Sequence, residues 1–203
     1  MATGIDLATD AGRVITQIRG ANLDFVARYY RSPTSHWPSL SRSEAQLLST
    51  GMKIVAVWEA ASNHASYFSH LSGVDDSTSA YHQAHSIGQP AGSAIYFAVD
   101  YDASGTDIVG PINEYFRGIA AGFAAAGGEA PDYRIGVYGS GQVCQALFQA
   151  GLADYTWLAM STGWAGSRNF AAWHIKRGKS LPSLPFDHDS NEAKDDYGGF
   201  QVT

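Results

Sequence analysis

The residues best suited to chemistry are two carboxylates at the end of an apolar run. Within residues 94–102, Ile95, Phe97, Val99 and Tyr101 alternate with Ala94, Tyr96, Ala98, Asp100 and Asp102. A strand repeats every two residues and rises ~3.3 Å per residue, so Asp100 and Asp102 fall on one face ~7 Å apart. Carboxyls that close cannot both ionise cheaply. One is expected to keep its proton near neutrality, which is what a general acid requires. The same pair could act without chemistry, as a strand-end cap and an Asx turn before Ser104-Gly105.

The same parity gathers further polar residues on that face. It places Asp6 beside Gly4 and Ala8, Asp187 beside Asp189, Arg28 beside Tyr30, Tyr138 beside Gly136, and Trp157 beside Ala159. Asp6, Asp100, Asp102 and Asp187 are thus the candidate catalytic carboxyls, with Asp189 able to serve in place of Asp187. Arg28, a charge inside the apolar run Phe25–Tyr30, requires a buried partner, expected in Asp6 or Asp100. Tyr30, Tyr138 and Trp157 either stack on ligand rings or fill the interior, and Trp164, in a glycine-containing loop, is freer to stack. Parity leaves Glu59 against Trp58 open, and likewise Trp173 against His174; Glu59 would be a further carboxylate of the site.

A metal site is the competing chemistry. His82 and His85 share a helical face at i, i+3 and, with Asp75-Asp76 and Asp187-His188-Asp189, could form the Asp-His-His set of a carbohydrate deacetylase. That pair lies in mid-helix, however, and the first strand, Ile5-Asp6-Leu7, has no His. No metal and no cofactor is expected. The single Cys144, among Val143, Ala146, Leu147 and Phe148, reads as a small buried hydrophobe, which leaves no disulfide.

The elements that must position these groups alternate in type. Apolar runs suited to strands fall at 4–9, 24–30, 53–60, 94–101, 134–139, 155–161, 171–175 and 185–189, with helices expected at 10–20, 41–50, 77–87, 108–126 and 141–151. The second helix opens on Ser41 and Glu44, a capping-box spacing. Eight strands alternating with helices in 203 residues predict one domain over residues 1–203, an α/β chain folded as an irregular (β/α)8 barrel with parallel strands. The connections 162–170 and 176–184 are too short for crossover helices, so helices should be missing from the last third.

With 13 Lys and Arg against 19 Asp and Glu, the net charge of −6 and the lack of a basic stripe exclude nucleic acid as a partner. The most apolar stretch, 116–127, is interrupted by Arg117 and is too short to span a bilayer. No leader pattern precedes the strand-like run at Gly4, and a monomer is expected.

Gly4-Ile5-Asp6, Ala27-Arg28-Tyr29, Ile135-Gly136-Val137-Tyr138 and above all Tyr96-Phe97-Ala98-Val99-Asp100-Tyr101-Asp102 resemble the mycobacterial-type glycoside-hydrolase-like domain family. That bacterial family is similar to the family 25 lysozymes, which have irregular barrels poor in helices in the second half and cleave the N-acetylmuramic acid to N-acetylglucosamine linkage. The resemblance implies a cell-envelope or extracellular protein whose partner is a polysaccharide, peptidoglycan in particular. It also implies that Asp6 matches the lysozymes' first-strand Asp, that Asp100 and Asp102 stand for their Asp-x-Glu, and that Asp187 matches the Asp after Trp-Gln-Tyr, here Trp173-His174-Ile175. Asp102 in place of the Glu acid reaches ~1.5 Å less, against a tolerance of ~0.5 Å in a working constellation. Two functions therefore follow as expectations: a muramidase-like glycosidase, or a glycan-binding module with a weakened cleft.

Overall fold

The structure is a computed structural model that describes residues 1–127 and 133–203. Its strands are β1 (Ala2–Asp6), β2 (Phe25–Tyr30), β3 (Lys53–Trp58), β4 (Ala94–Ala98), β5 (Arg134–Gly139), β6 (Tyr155–Leu158), β7 (Ile175–Arg177) and β8 (Asp189–Ala193). They close into a barrel in chain order. Helices α1 (Ile15–Gly20), α2 (Arg42–Ser49), α3 (His70–Ile87), the single turn α4 (Gly105–Asp107), α5 (Asn113–Gly127) and α6 (Gly141–Gln149) coat its outside. Among the described residues no helix follows α6, as the short late connections predict, and none is long and apolar enough to cross a membrane.

One strand departs from the all-parallel expectation. β1 to β7 pair in parallel, but β8 runs antiparallel to both β7 and β1. A parallel return needs a crossover of a dozen or more residues, which the helix-free segment 178–188 does not provide. β7 and β8 also lie later than the sequence runs 171–175 and 185–189. Asp189-Ser190-Asn191-Glu192-Ala193 carries almost no apolar signal because its outer face has no helix to cover and its inner face binds polar partners.

Two apolar layers result. Ile5, Val26, Ile95, Phe97, Val137 and Leu147 belong to the core between barrel and helices, while Phe25, Ala27, Val57, Tyr96, Tyr138, Trp157 and Ile175 fill the barrel itself. The small-sided face of β4 points inward, as its alternation predicts. β2 is a correction. Phe25, Ala27 and Tyr29 face the interior, and Arg28 and Tyr30 face the helices, where the Tyr30 hydroxyl donates to Gln89 Oε1 at 2.6 Å.

Arg28 pairs there with neither Asp6 nor Asp100 but with Glu44 of α2. Nε and Nη2 meet the two carboxylate oxygens at 2.5 and 3.2 Å, both side chains being buried. Ser41 caps α2 through the Glu44 N–H at 3.2 Å, but the Glu44 carboxylate turns inward to Arg28 and does not close a capping box.

The lower interior alternates small and large residues. A Cβ at Gly136 would lie 2.5 Å from the Tyr96 ring, and one at Gly4 2.6 Å from the Phe25 ring. The Tyr96 ring has little room to yield, since its hydroxyl donates to the Tyr197 carbonyl at 2.9 Å. Gly136→Ala is expected to cost about 1–3 kcal/mol, the usual cost of overpacking. A urea midpoint unchanged from the parent would contradict this account of the interior.

Candidate active site

β1, β3, β4 and β7 finish at one rim, and because β8 is reversed its first residue lies there too, with Asp189 opposite Asp6. The strand ends enclose a cavity of about 350 Å³ whose walls include Asp6, Tyr29, Arg31, Trp37, Glu59, Asp100, Tyr138, Trp157 and Arg177.

Arg177 is the hub. Its Nη2 donates to Asp189 Oδ2, its Nη1 donates to the Tyr138 hydroxyl at 3.0 Å, and its Nε lies 3.6 Å from Asp6 Oδ2. Burial opposes its charge, yet Asp6, Tyr138 and Asp189 together hold the guanidinium more firmly protonated than usual. Asp6 is fixed from two further sides, accepting from Asn191 Nδ2 at 2.8 Å and from the Tyr29 hydroxyl at 3.2 Å. Asn191 is itself held by Trp157 Nε1 at 2.9 Å. Burial pushes the Asp6 carboxyl above its ordinary value of 3.8, against the pull of Arg177 and Asn191.

Glu59 and Asp100 complete the acidic wall. Burial raises the Glu59 carboxyl, and the charge of Asp100 raises it further, outweighing Arg31 and Arg177. Asp100 is raised by burial and drawn down by Arg177, while its backbone N–H donates to the Ser62 carbonyl at 2.8 Å. Three carboxyls thus hold their protons more tightly folded than unfolded. Above the unfolded values of 3.8 for Asp and 4.5 for Glu, the native state binds the extra protons, so their combined contribution to stability falls as pH rises toward the raised values. Glu59→Gln is therefore expected to gain stability relative to the parent as pH rises above 4.5 in urea unfolding. A stability difference that stays constant with pH would contradict it.

Residues 16–201 match the Rv2525c-like, glycoside hydrolase-like domain family. The chain belongs to that family. Over 163 residues it is 36% identical to the uncharacterized protein YbfG of Bacillus subtilis (strain 168), covering 74% of this chain and 22% of that one. The chain spans about a fifth of the length of the curated relatives it matches. In fold it is similar to the Tat-secreted protein Rv2525c of Mycobacterium tuberculosis, with a TM-score of 0.77, 23% identity and 98% of each chain covered. It is also similar to the Clostridium perfringens spore cortex lytic enzyme SleM, with a TM-score of 0.59, 13% identity, and 96% of this chain and 68% of that one covered.

In this glycoside hydrolase-like domain the sequence candidates separate clearly. Asp6, Asp100, Glu59, Tyr138 and Trp157 meet in the cavity, and Asp189 reaches it through Arg177. Asp102 does not line it: its Oδ1 accepts the Ala165 N–H at 2.8 Å, on an exposed turn. Asp187 is exposed ahead of β8, and Trp164 packs partly against the upper interior without lining the cavity. Arg28 and Tyr30 sit behind the barrel wall. The Glu59 alternative resolves inward, with Trp58 in the helix-side core. His174 hydrogen-bonds to Thr156 at 3.1 Å. Among the described residues no three His, Cys, Asp or Glu side chains are grouped to hold a metal ion.

Sequence parity missed Arg177, Asn191, Tyr29, Arg31 and Trp37. Tyr29 lay one residue off the face chosen for β2. Arg177 lay in a segment read as a connection, although several convergent carboxylates demanded a cation that Arg28 does not supply.

Proposed function

We propose that this domain is a glycoside hydrolase acting on a cell-wall glycan of the peptidoglycan type. The observation that carries the reading is the meeting of Glu59 and Asp100 in one aromatic-walled cavity, where burial raises the Glu59 carboxyl and the charge of Asp100 raises it further. Two carboxyls beside one cleft, one of them raised by the charge of the other, are the equipment of glycosidic hydrolysis. Glu59 donates a proton to the leaving glycosidic oxygen. Asp100 faces the positive charge that develops at the anomeric carbon. Asp6, fixed by Arg177, Asn191 and Tyr29, shapes the field in which both titrate. Asp189 takes the place beside Asp6 that the lysozyme resemblance gives to Asp187, and Tyr29, Trp37 and Tyr138 offer ring faces to sugars. An envelope setting is supported by the secretion of Rv2525c and by the lytic role of SleM.

The test is release of new reducing ends from labelled peptidoglycan by the domain, against an Asp100→Asn, Glu59→Gln double variant. Products from the parent and none from the variant support the enzyme. The exposed place of Asp102 favours a second reading, a glycan-binding module, which equal retention of glycan by both proteins without any products would support.

A further inference from the structure

The cavity holds two arginines, and their donors are used differently. Arg177 has a side-chain partner facing each nitrogen: Nη1 and Nη2 donate to Tyr138 and Asp189, and Nε, though buried without a hydrogen-bond acceptor, lies 3.6 Å from the Asp6 carboxylate. Arg31 does not. Its Nη1 donates to the Glu59 main-chain carbonyl at 3.2 Å and lies 3.9 Å from Glu59 Oε2, and its guanidinium stacks over the Tyr29 ring at 4.1 Å. Its Nε is buried with no acceptor, and among the described residues no hydrogen bond from Nη2 is found. Nε and Nη2 form one edge of the guanidinium, the edge whose parallel N–H bonds fit a carboxylate. Arg28, three residues earlier, presents that same edge to Glu44 in a two-point pair.

The Arg31 edge is held in place without such a partner. The Gln83 side chain clamps the Arg31 backbone, accepting its N–H at 3.2 Å and donating to its carbonyl at 2.8 Å, and Ser39 Oγ fixes Gln83 at 2.6 Å. Only 12% of the Arg31 side chain is exposed. Trp37, on the same loop, lines the same cavity with 53% exposure and offers a flat apolar face.

We propose that Arg31 and Trp37 form a subsite for a carboxylate-bearing glycan, the sugar ring lying on Trp37 and the carboxylate on the Nε–Nη2 edge of Arg31. This rests on the glycan reading above and narrows it to an acidic ligand. Burial raises the Asp6, Glu59 and Asp100 carboxyls, so the negative charge that the ligand meets there falls as pH is lowered. Two sources share this chemistry: a carboxylate on the sugar ether, or one on an attached peptide.

Calorimetric titration separates them with four probes: the N-acetylglucosaminyl-muramic disaccharide, its methylamide, its L-Ala-D-Glu conjugate, and neutral chitobiose. The parent is expected to bind the free acid roughly tenfold or more tightly than the methylamide, as the loss of charged hydrogen bonds implies. If the peptide supplies the carboxylate, the conjugate replaces the disaccharide acid as the tight ligand. Arg31→Met should erase either preference, and Arg31→Lys should restore part of it. Equal affinity for the disaccharide acid, its methylamide and the peptide conjugate, or a preference that persists in Arg31→Met, overturns the subsite alone. Failure of all four probes to bind the folded parent overturns the subsite together with the glycan reading.

Discussion

Glu44→Ala should lower the unfolding free energy by about 3–5 kcal/mol, the usual cost of leaving one member of a buried ion pair alone. Arg28 would stay in the wall between barrel and helices with its Nε and Nη2 facing an empty space, and the Ala11 N–H, which Glu44 accepts at 2.8 Å, would lose its partner as well. For a chain of this length such a loss corresponds to a fall of about 6–20 °C in the midpoint of thermal unfolding. The pair matters beyond stability. Arg28 also donates to the Leu7 carbonyl at 3.0 Å and to the Pro38 carbonyl at 3.4 Å, so it ties the turn after Asp6 to the loop that carries Trp37. Arg28→Met combined with Glu44→Leu removes both charges and should be far less costly than Glu44→Ala alone. A double variant as unstable as the single would show that the loss comes from packing and not from the stranded charge.

Glu59→Gln should reduce glycan cleavage by about 10²–10⁴-fold, the range for loss of a positioned general acid. Glutamine keeps the shape and the neutral form of the group but has no transferable proton. The alkaline limb of the rate profile, set by the raised Glu59 carboxyl, should disappear with it. Aryl glycosides whose leaving group needs no protonation should lose much less, which distinguishes lost acid catalysis from lost binding. Asp102→Asn is the companion variant. Its Oδ1 can still accept the Ala165 N–H, and its side chain does not line the cavity, so cleavage should be nearly unchanged. The opposite ranking, with Asp102→Asn inactive and Glu59→Gln active, would return the acid role to the position that aligns with the lysozyme Glu.

How far the site was legible in the sequence depended on how different the two faces of each strand are. On β4 one face is bulky and the other small, because the first packs on helices and the second must admit Tyr96 and end in Asp100. Alternation therefore gives its orientation directly. On β2 each face carries an aromatic and an aliphatic residue, so the choice rested on Arg28, and a charged side chain was wrongly drawn toward the carboxylates at the mouth. Glu44 decides that orientation. It is a distant residue on a helix, and the spacing that suggested a capping box gave no sign that its carboxylate would turn inward. Asp187 and Asp189 differ for another reason: their parity is the same, but only the antiparallel entry of β8 sets Asp189 beside Asp6 and leaves Asp187 outside.

By itself the sequence determined the strand and helix alternation, the closed barrel with a bare final third, and the inward face of β4 that brings Asp100 to the mouth. These follow from local periodicity and from connection length, which need no knowledge of neighbours. The reversal of β8, the Arg28–Glu44 pair, the arrival of Arg177 between Asp6 and Asp189, and the turn of Asp102 away from the cavity were decided only by tertiary structure. Each depends on which charged group meets which across the barrel, and electrostatic pairing between residues far apart in the chain leaves no periodic trace along it.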